Sequence, residues 1–124
     1  MSKKIRQAYE RLERFALGLP EAWMDHPWGD TTIKVRKKIF LFLHVTEKRP
    51  VVLKLSMKLP ASCSEVLRHE WATPTGYGLG RSGWVSMTLR ASELPKQSQL
   101  EDWVEESYQA IAPKKLARLL DEDL

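Results

Sequence analysis

Residues 31–57 alternate apolar and polar side chains with a period of two, broken only at the cationic run Arg36-Lys37-Lys38 and at Glu47-Lys48-Arg49-Pro50. A period of two places successive side chains on opposite faces of a strand, so two interruptions imply three strands joined by two tight turns. In the first segment, 31–36, Ile33 and Val35 oppose Lys34 and Arg36, and a turn follows at Lys37 and Lys38. In 39–45, Ile39, Leu41, Leu43 and Val45 face one way and Phe40, Phe42 and His44 the other. In 51–57, Val51, Leu53, Leu55 and Met57 form the inward set. Such a chain folds as an antiparallel meander, and its apolar face needs a cover.

Helices supply that cover. Ile5, Ala8, Tyr9, Leu12, Phe15, Ala16 and Leu19 recur at three- and four-residue spacing, which predicts an amphipathic helix ending near Gly18 and Pro20. A second stripe, Leu100, Trp103, Val104, Ser107, Tyr108 and Ile111, follows the capping-box pattern Ser98 to Glu101, and Pro113 ends it before a short helical stretch from Lys114 to Leu120. Both stripes need the same apolar floor, so Trp103, Tyr108 and Ile111 are expected against the sheet beside Leu12 and Phe15. Ser62 to Glu65 is another capping-box pattern and predicts a short helix to about Glu70. Thr73 to Gly83 reads as a glycine-rich loop, and Trp84 to Arg90 returns to strand alternation. The expected fold class is α+β, an antiparallel sheet with helices packed on one face, in a single domain spanning residues 1–124.

By alternation the open face carries Lys34, Arg36, Lys54 and Arg90 among Ser56, Ser86, Thr88 and His44. Phe40 and Phe42 join them unless a helix or terminus covers those rings. Residues 1–60 hold 13 Lys and Arg against 6 Asp and Glu, a surplus of 7, whereas 61–124 hold 7 against 10, a deficit of 3. Residues 31–58 alone contain eight cations and one acid, Glu47. Cations beside aromatic rings suit nucleic acid, the cations meeting phosphates and the rings stacking on bases. A sheet edge kept soluble by lysine is the simpler reading of the same charges.

His26, His44 and His69 fall in separate elements without metal-ligand spacing, and no acid, base and nucleophile converge in the sequence, so no metal, no cofactor and no enzymatic activity are expected. Gly76-Tyr77-Gly78-Leu79-Gly80 superficially resembles a phosphate loop but precedes a strand rather than a helix; it reads as a turn whose Tyr77 and Arg81 border a binding edge at most. Trp23, Trp28 and Trp84 are expected to pack. The lone Cys63 fits a small buried side chain and a reducing compartment, and no segment has the apolar run of a signal peptide or membrane span, so a cytoplasmic protein without membrane contact is expected.

The stretches HPWGDTTIKVRKKIFLFL (26–43), GWVSMTL (83–89) and SYQAIAPKKL (107–116), in this order and spacing, resemble the MmcQ/YjbR-like family. The resemblance covers nearly the whole chain and implies a fold similar to the bacterial frataxin homologues, a CyaY-like sheet flanked by helices. It also implies DNA binding through a double wing of β-hairpins, which here would be the tips at Arg36, Lys37, Lys38 and at Lys48, Arg49. The metal-chaperone role of frataxins depends on an acidic first helix, whereas residues 3–14 carry five cations and two acids. The residues proposed for phosphate contact are therefore Lys34, Arg36, Lys37, Lys38, Lys48, Arg49, Lys54 and Arg90, with DNA as the expected partner and another protein, docked on the open sheet face, as the alternative.

Overall fold

The computed structural model describes residues 3–26, 31–46 and 48–122. In order it contains α1 (Lys3–Leu17), β1 (Ala22–Asp25), β2 (Thr31–Val35), β3 (Lys38–Val45), β4 (Leu53–Lys58), α2 (Cys63–Val66), β5 (Ala72–Pro74), β6 (Trp84–Leu89), α3 (Gln97–Ile111) and α4 (Lys114–Glu122). The strands form one antiparallel sheet in the order β1-β2-β3-β4-β6-β5. Helices α1 and α3 pack on each other and on the same face of β3, as the two apolar stripes require. Ile5, Leu12, Trp103 and Tyr108 are buried there against Leu41, Leu43, Leu55 and Met87. Phe15 and Ile111 stay half-buried at the margin of that core.

Two strands escaped the pattern. The β1 strand is only four residues, Ala-Trp-Met-Asp, too short to show a period, and β5 overlaps the start of the Thr73 to Gly83 stretch that reads as a loop. Both are edge strands held by their neighbours β2 and β6. The first turn also sits one residue earlier than expected, at Arg36 and Lys37, with Arg36 at φ 56° and Lys38 opening β3.

The face of Phe40 differs from simple alternation. Ile33 pairs with Leu41 but Lys34 pairs with Ile39, so Phe40 is the extra residue of a β-bulge. The bulge shifts the period by one, turning Ile39 to the open face and Phe40 inward. Phe40 is fully buried, its ring edge-on to Tyr108 at 5.2 Å between centroids. Just beyond the last β3–β4 pair, Ser107 bridges the two strands from α3: its hydroxyl donates to the Phe40 carbonyl at 2.6 Å and accepts from the Lys58 amide at 2.9 Å. Tyr108 donates to the Pro20 carbonyl at 2.6 Å and thereby pins the exit from α1.

Neither expected capping box forms. At the start of α2, Ser62 lies in helical backbone and its amide and hydroxyl donate to Glu106 at 3.0 and 2.6 Å, so a partner on α3 takes the bonds a local cap would make. That helix stops at Val66. The α3 helix begins at Gln97, one residue before Ser98, and has no side-chain cap; Gln97 instead donates to Glu101 at 2.8 Å.

Gly83 precedes β6 at φ 90°, and its carbonyl accepts from the Leu59 amide at 2.8 Å. A Cβ there would sit 3.2 Å from the Pro60 Cα. Backbone strain and this backbone contact act together, so Gly83→Ala is expected to cost about 2 kcal/mol. Urea denaturation checks it, and an unchanged midpoint would contradict the geometry.

Candidate nucleic-acid interface

The hairpin joining β2 and β3 carries three exposed cations, Arg36 and Lys37 in its two-residue turn and Lys38 at the start of β3. Arg36 lies 3.6 Å from Glu21, and its carbonyl accepts a 2.8 Å bond from the Trp23 indole, which ties the turn to β1. Trp23 is thus half exposed rather than packed inside. Lys37 and Lys38 have no ion pair among the described residues. Lys38 pairs in register with Val35, whose side chain is buried, so Lys38 leaves the sheet on the helix-bearing side.

That direction brings Lys38 to the junction of α3 and α4. Arg36, Lys37, Lys38 and Lys114 border one concavity of about 550 Å³, floored by Ile111, Ala112 and Pro113. Lys114 was not among the expected contact residues. Its proximity depends on α3 crossing the sheet, which no local pattern reveals; the only hint is Pro113, which turns the chain where the apolar stripe ends.

Lys34 is otherwise engaged. Its ammonium bonds Asp25 at 2.7 Å and lies 5.2 Å from the centre of the Trp23 ring, and it is half-buried. The Lys34 hydrogen bond, followed by its charge, holds the Asp25 carboxyl below the usual aspartate range. Lys34 thus already has an anionic partner within β1–β2.

The second expected tip, Lys48 and Arg49, is exposed in the loop closed by the Thr46 amide donating to Val52 at 3.1 Å. It lies at the opposite end of β3 from the first. The seven steps between the first and last of the eight β3 residues, at about 3.3 Å each, put the two ends of β3 roughly 23 Å apart. Lys54 pairs with His44 and Thr88, and Arg90 follows Leu89 opposite Leu53, so both belong to the Lys48 end. The eight candidates therefore do not form one patch. Three cluster with Lys114 at one end, four lie at the other, and Lys34, opposite Ile39 near the first end, is already paired with Asp25.

The open face is mostly as alternation requires. Ser56 and Ser86 share a 2.9 Å bond, Ser86 and Thr75 another, and Lys54 and Thr88 are exposed. Phe42 is half-buried edge-on to Trp84, which is buried, and with His44, Lys54 and Ser56 it borders a shallow depression of about 350 Å³. In the glycine-rich segment Tyr77 is fully exposed and Arg81 exposed. Cys63 is a free, half-buried thiol. Of the His-x-Trp-Gly stretch His26 is described, its amide donating to Asp25 at 2.9 Å, whereas Trp28 lies outside the described residues. Among the described residues no three His, Cys, Asp or Glu converge on a common point, and no helix is long and apolar enough to cross a membrane.

The YjbR family model matches residues 17–110. The chain belongs to the YjbR family. Within it, the described signature residues hold the fold together: Ser107 joins two strands, Tyr108 anchors the end of α1, and Gly83 makes the turn into β6. A crystal structure of a protein from Pseudomonas syringae, solved as a structural-genomics target, is similar at a TM-score of 0.63 and 14% identity, covering 89% of this chain and 98% of that one. That likeness supports the α+β fold. No curated protein matches the sequence.

Proposed function

We propose that this YjbR-family chain is a non-catalytic DNA-binding domain that holds backbone phosphates through Arg36, Lys37 and Lys38 at the hairpin together with Lys114 of α4. One observation carries the reading: cations from two distant parts of the sequence meet at one end of the sheet with no carboxylate in the concavity they border. Long cationic side chains there reach phosphate with little desolvation and carry no base information, so binding is weak and nearly blind to sequence. The Lys48-Arg49 loop is a second wing. At about 23 Å it meets the same strand only some seven phosphates away, at about 3.4 Å per phosphate. A half-buried single thiol is compatible with the cytoplasmic location this function needs.

Four phosphate contacts release counterions with a slope of log K against log salt near −3.6, a loss of roughly 150-fold between 50 and 200 mM salt. The variant Lys37→Gln/Lys38→Gln is expected to keep its fold and halve the slope to about −1.8. Fluorescence anisotropy on a labelled duplex reads both. If the parent shows no binding at low salt, or the variant keeps the full slope, the tip only solubilises the chain; protein docking on the open face, where Phe42 borders a depression, then becomes the better reading.

A further inference from the structure

The concavity beneath the hairpin tip has a composition that bare phosphate does not explain. Its charged rim is of one sign, Arg36, Lys37, Lys38 and Lys114, and its floor of Val35, Ile111, Ala112 and Pro113 offers no side-chain hydrogen-bonding group. A phosphate backbone would use the rim and leave the floor wet. At about 550 Å³ the space is within the range of small-molecule sites, which are mostly apolar with a few placed polar groups.

Of the rim cations only Arg36 has an ion-pair partner among the described residues, Glu21 at 3.6 Å. Glu21, near Arg36, lies outside the lining, and Lys37, Lys38 and Lys114 have no ion pair among the described residues. Lys38 is the telling residue, because its register with buried Val35 puts an ammonium where the core face of a strand ordinarily carries an apolar group. It follows the last residues of α3 closely enough to share the cavity with them, yet it donates to none of the described carbonyls there. A lysine at the mouth of an apolar recess satisfies an anionic head whose hydrocarbon body lies inside.

We propose that the recess between the β2–β3 hairpin and the α3–α4 junction binds a medium-chain alkyl carboxylate, its head on Lys38 and Lys114 and its chain on Ile111, Ala112 and Pro113. The site shares the cationic end with the DNA reading but adds the apolar floor, so such a ligand competes with DNA and makes phosphate binding responsive to a small amphipathic anion.

Decanoate is the probe, titrated below its micellar concentration and followed by calorimetry and backbone amide NMR. Binding is expected at one site, with shifts concentrated on Val35, Lys38 and residues 110–114, and decanol and acetate are each expected to bind at least roughly tenfold more weakly, since one lacks the charge and the other the chain. Lys38→Gln/Lys114→Gln and Ile111→Ser should each weaken decanoate by roughly tenfold, whereas Lys48→Gln/Arg49→Gln should not. Ile111→Ser should leave the salt slope of duplex binding intact, separating this site from the phosphate contacts. If Ile111→Ser does not fold, Ala112→Ser at the half-buried neighbour replaces it. Decanol binding as tightly as decanoate, shifts mapping elsewhere, or no saturable binding overturns the site, and it does so whether or not duplex DNA binds.

Discussion

Tyr108→Ala lowers the free energy of unfolding by about 4 kcal/mol, within the range for removing a large aromatic side chain from a core that cannot collapse around the gap. Tyr108 is fully buried between α3 and the sheet, edge-on to Phe40, so both its ring area and its ring contact are lost. Tyr108→Phe separates the hydroxyl from the ring. It keeps the packing and gives up only the 2.6 Å bond to the Pro20 carbonyl, a cost of about 1 kcal/mol. Burial, reinforced by Glu21 and opposed by Arg36, raises the phenol above its ordinary value near 10. A raised folded-state value means the contribution is complete below about pH 10 and is lost as pH rises through the folded value. Stability of the parent should therefore fall with alkali more steeply than that of the Phe variant. Urea denaturation at neutral and alkaline pH checks all three statements, and equal costs for Ala and Phe would place the energy in the hydroxyl instead.

Ser107→Ala is expected to cost about 2 to 3 kcal/mol, far more than an exposed serine. The substitution leaves two groups, the Lys58 amide and the Phe40 carbonyl, without the hydroxyl that joins them, at a site the helix covers completely. A small residue can still fit, so the loss comes from unpaired polar groups rather than from a cavity. Native-state hydrogen exchange supplies the local readout: the Lys58 amide should lose protection by more than its strand neighbours Leu55 and Met57. A variant with normal Lys58 protection and unchanged stability would mean that water or a neighbouring group replaces the hydroxyl, and the Ser-Tyr signature would then need another explanation.

The helical stripes and the meander were legible because each rests on a period that solvent and core impose on many residues at once. Phe40 was not, because a bulge is a relation between two strands: Ile33 and Lys34 choose partners two residues apart, and nothing within 38–45 alone marks the slip. The capping boxes failed for a similar reason. Ser62 finds Glu106, forty-four residues away, a better partner than its local amides. The separation of the basic tips could have been read, since consecutive turns of a meander flank one strand and must lie at its two ends. What required coordinates was the third side of the cationic cluster. Lys114 reaches Lys38 only because Trp103, Val104 and Tyr108 seat α3 on the sheet in one direction, with its last turn over the hairpin.

The two edges of the sheet are its shortest strands, four residues in β1 and three in β5, and the latter ends in Pro74, which has no amide to donate. An incoming strand would gain few ladder bonds on either side, while the long apolar strands β3 and β4 stay in the interior of the order. Intermolecular growth by strand addition is thus starved of template, a protection against amyloid-like association that depends on the outer strands remaining folded. Variants that loosen β1, such as those breaking the Asp25–Lys34 pair, should first betray themselves as turbidity on storage, before any loss of binding is measurable.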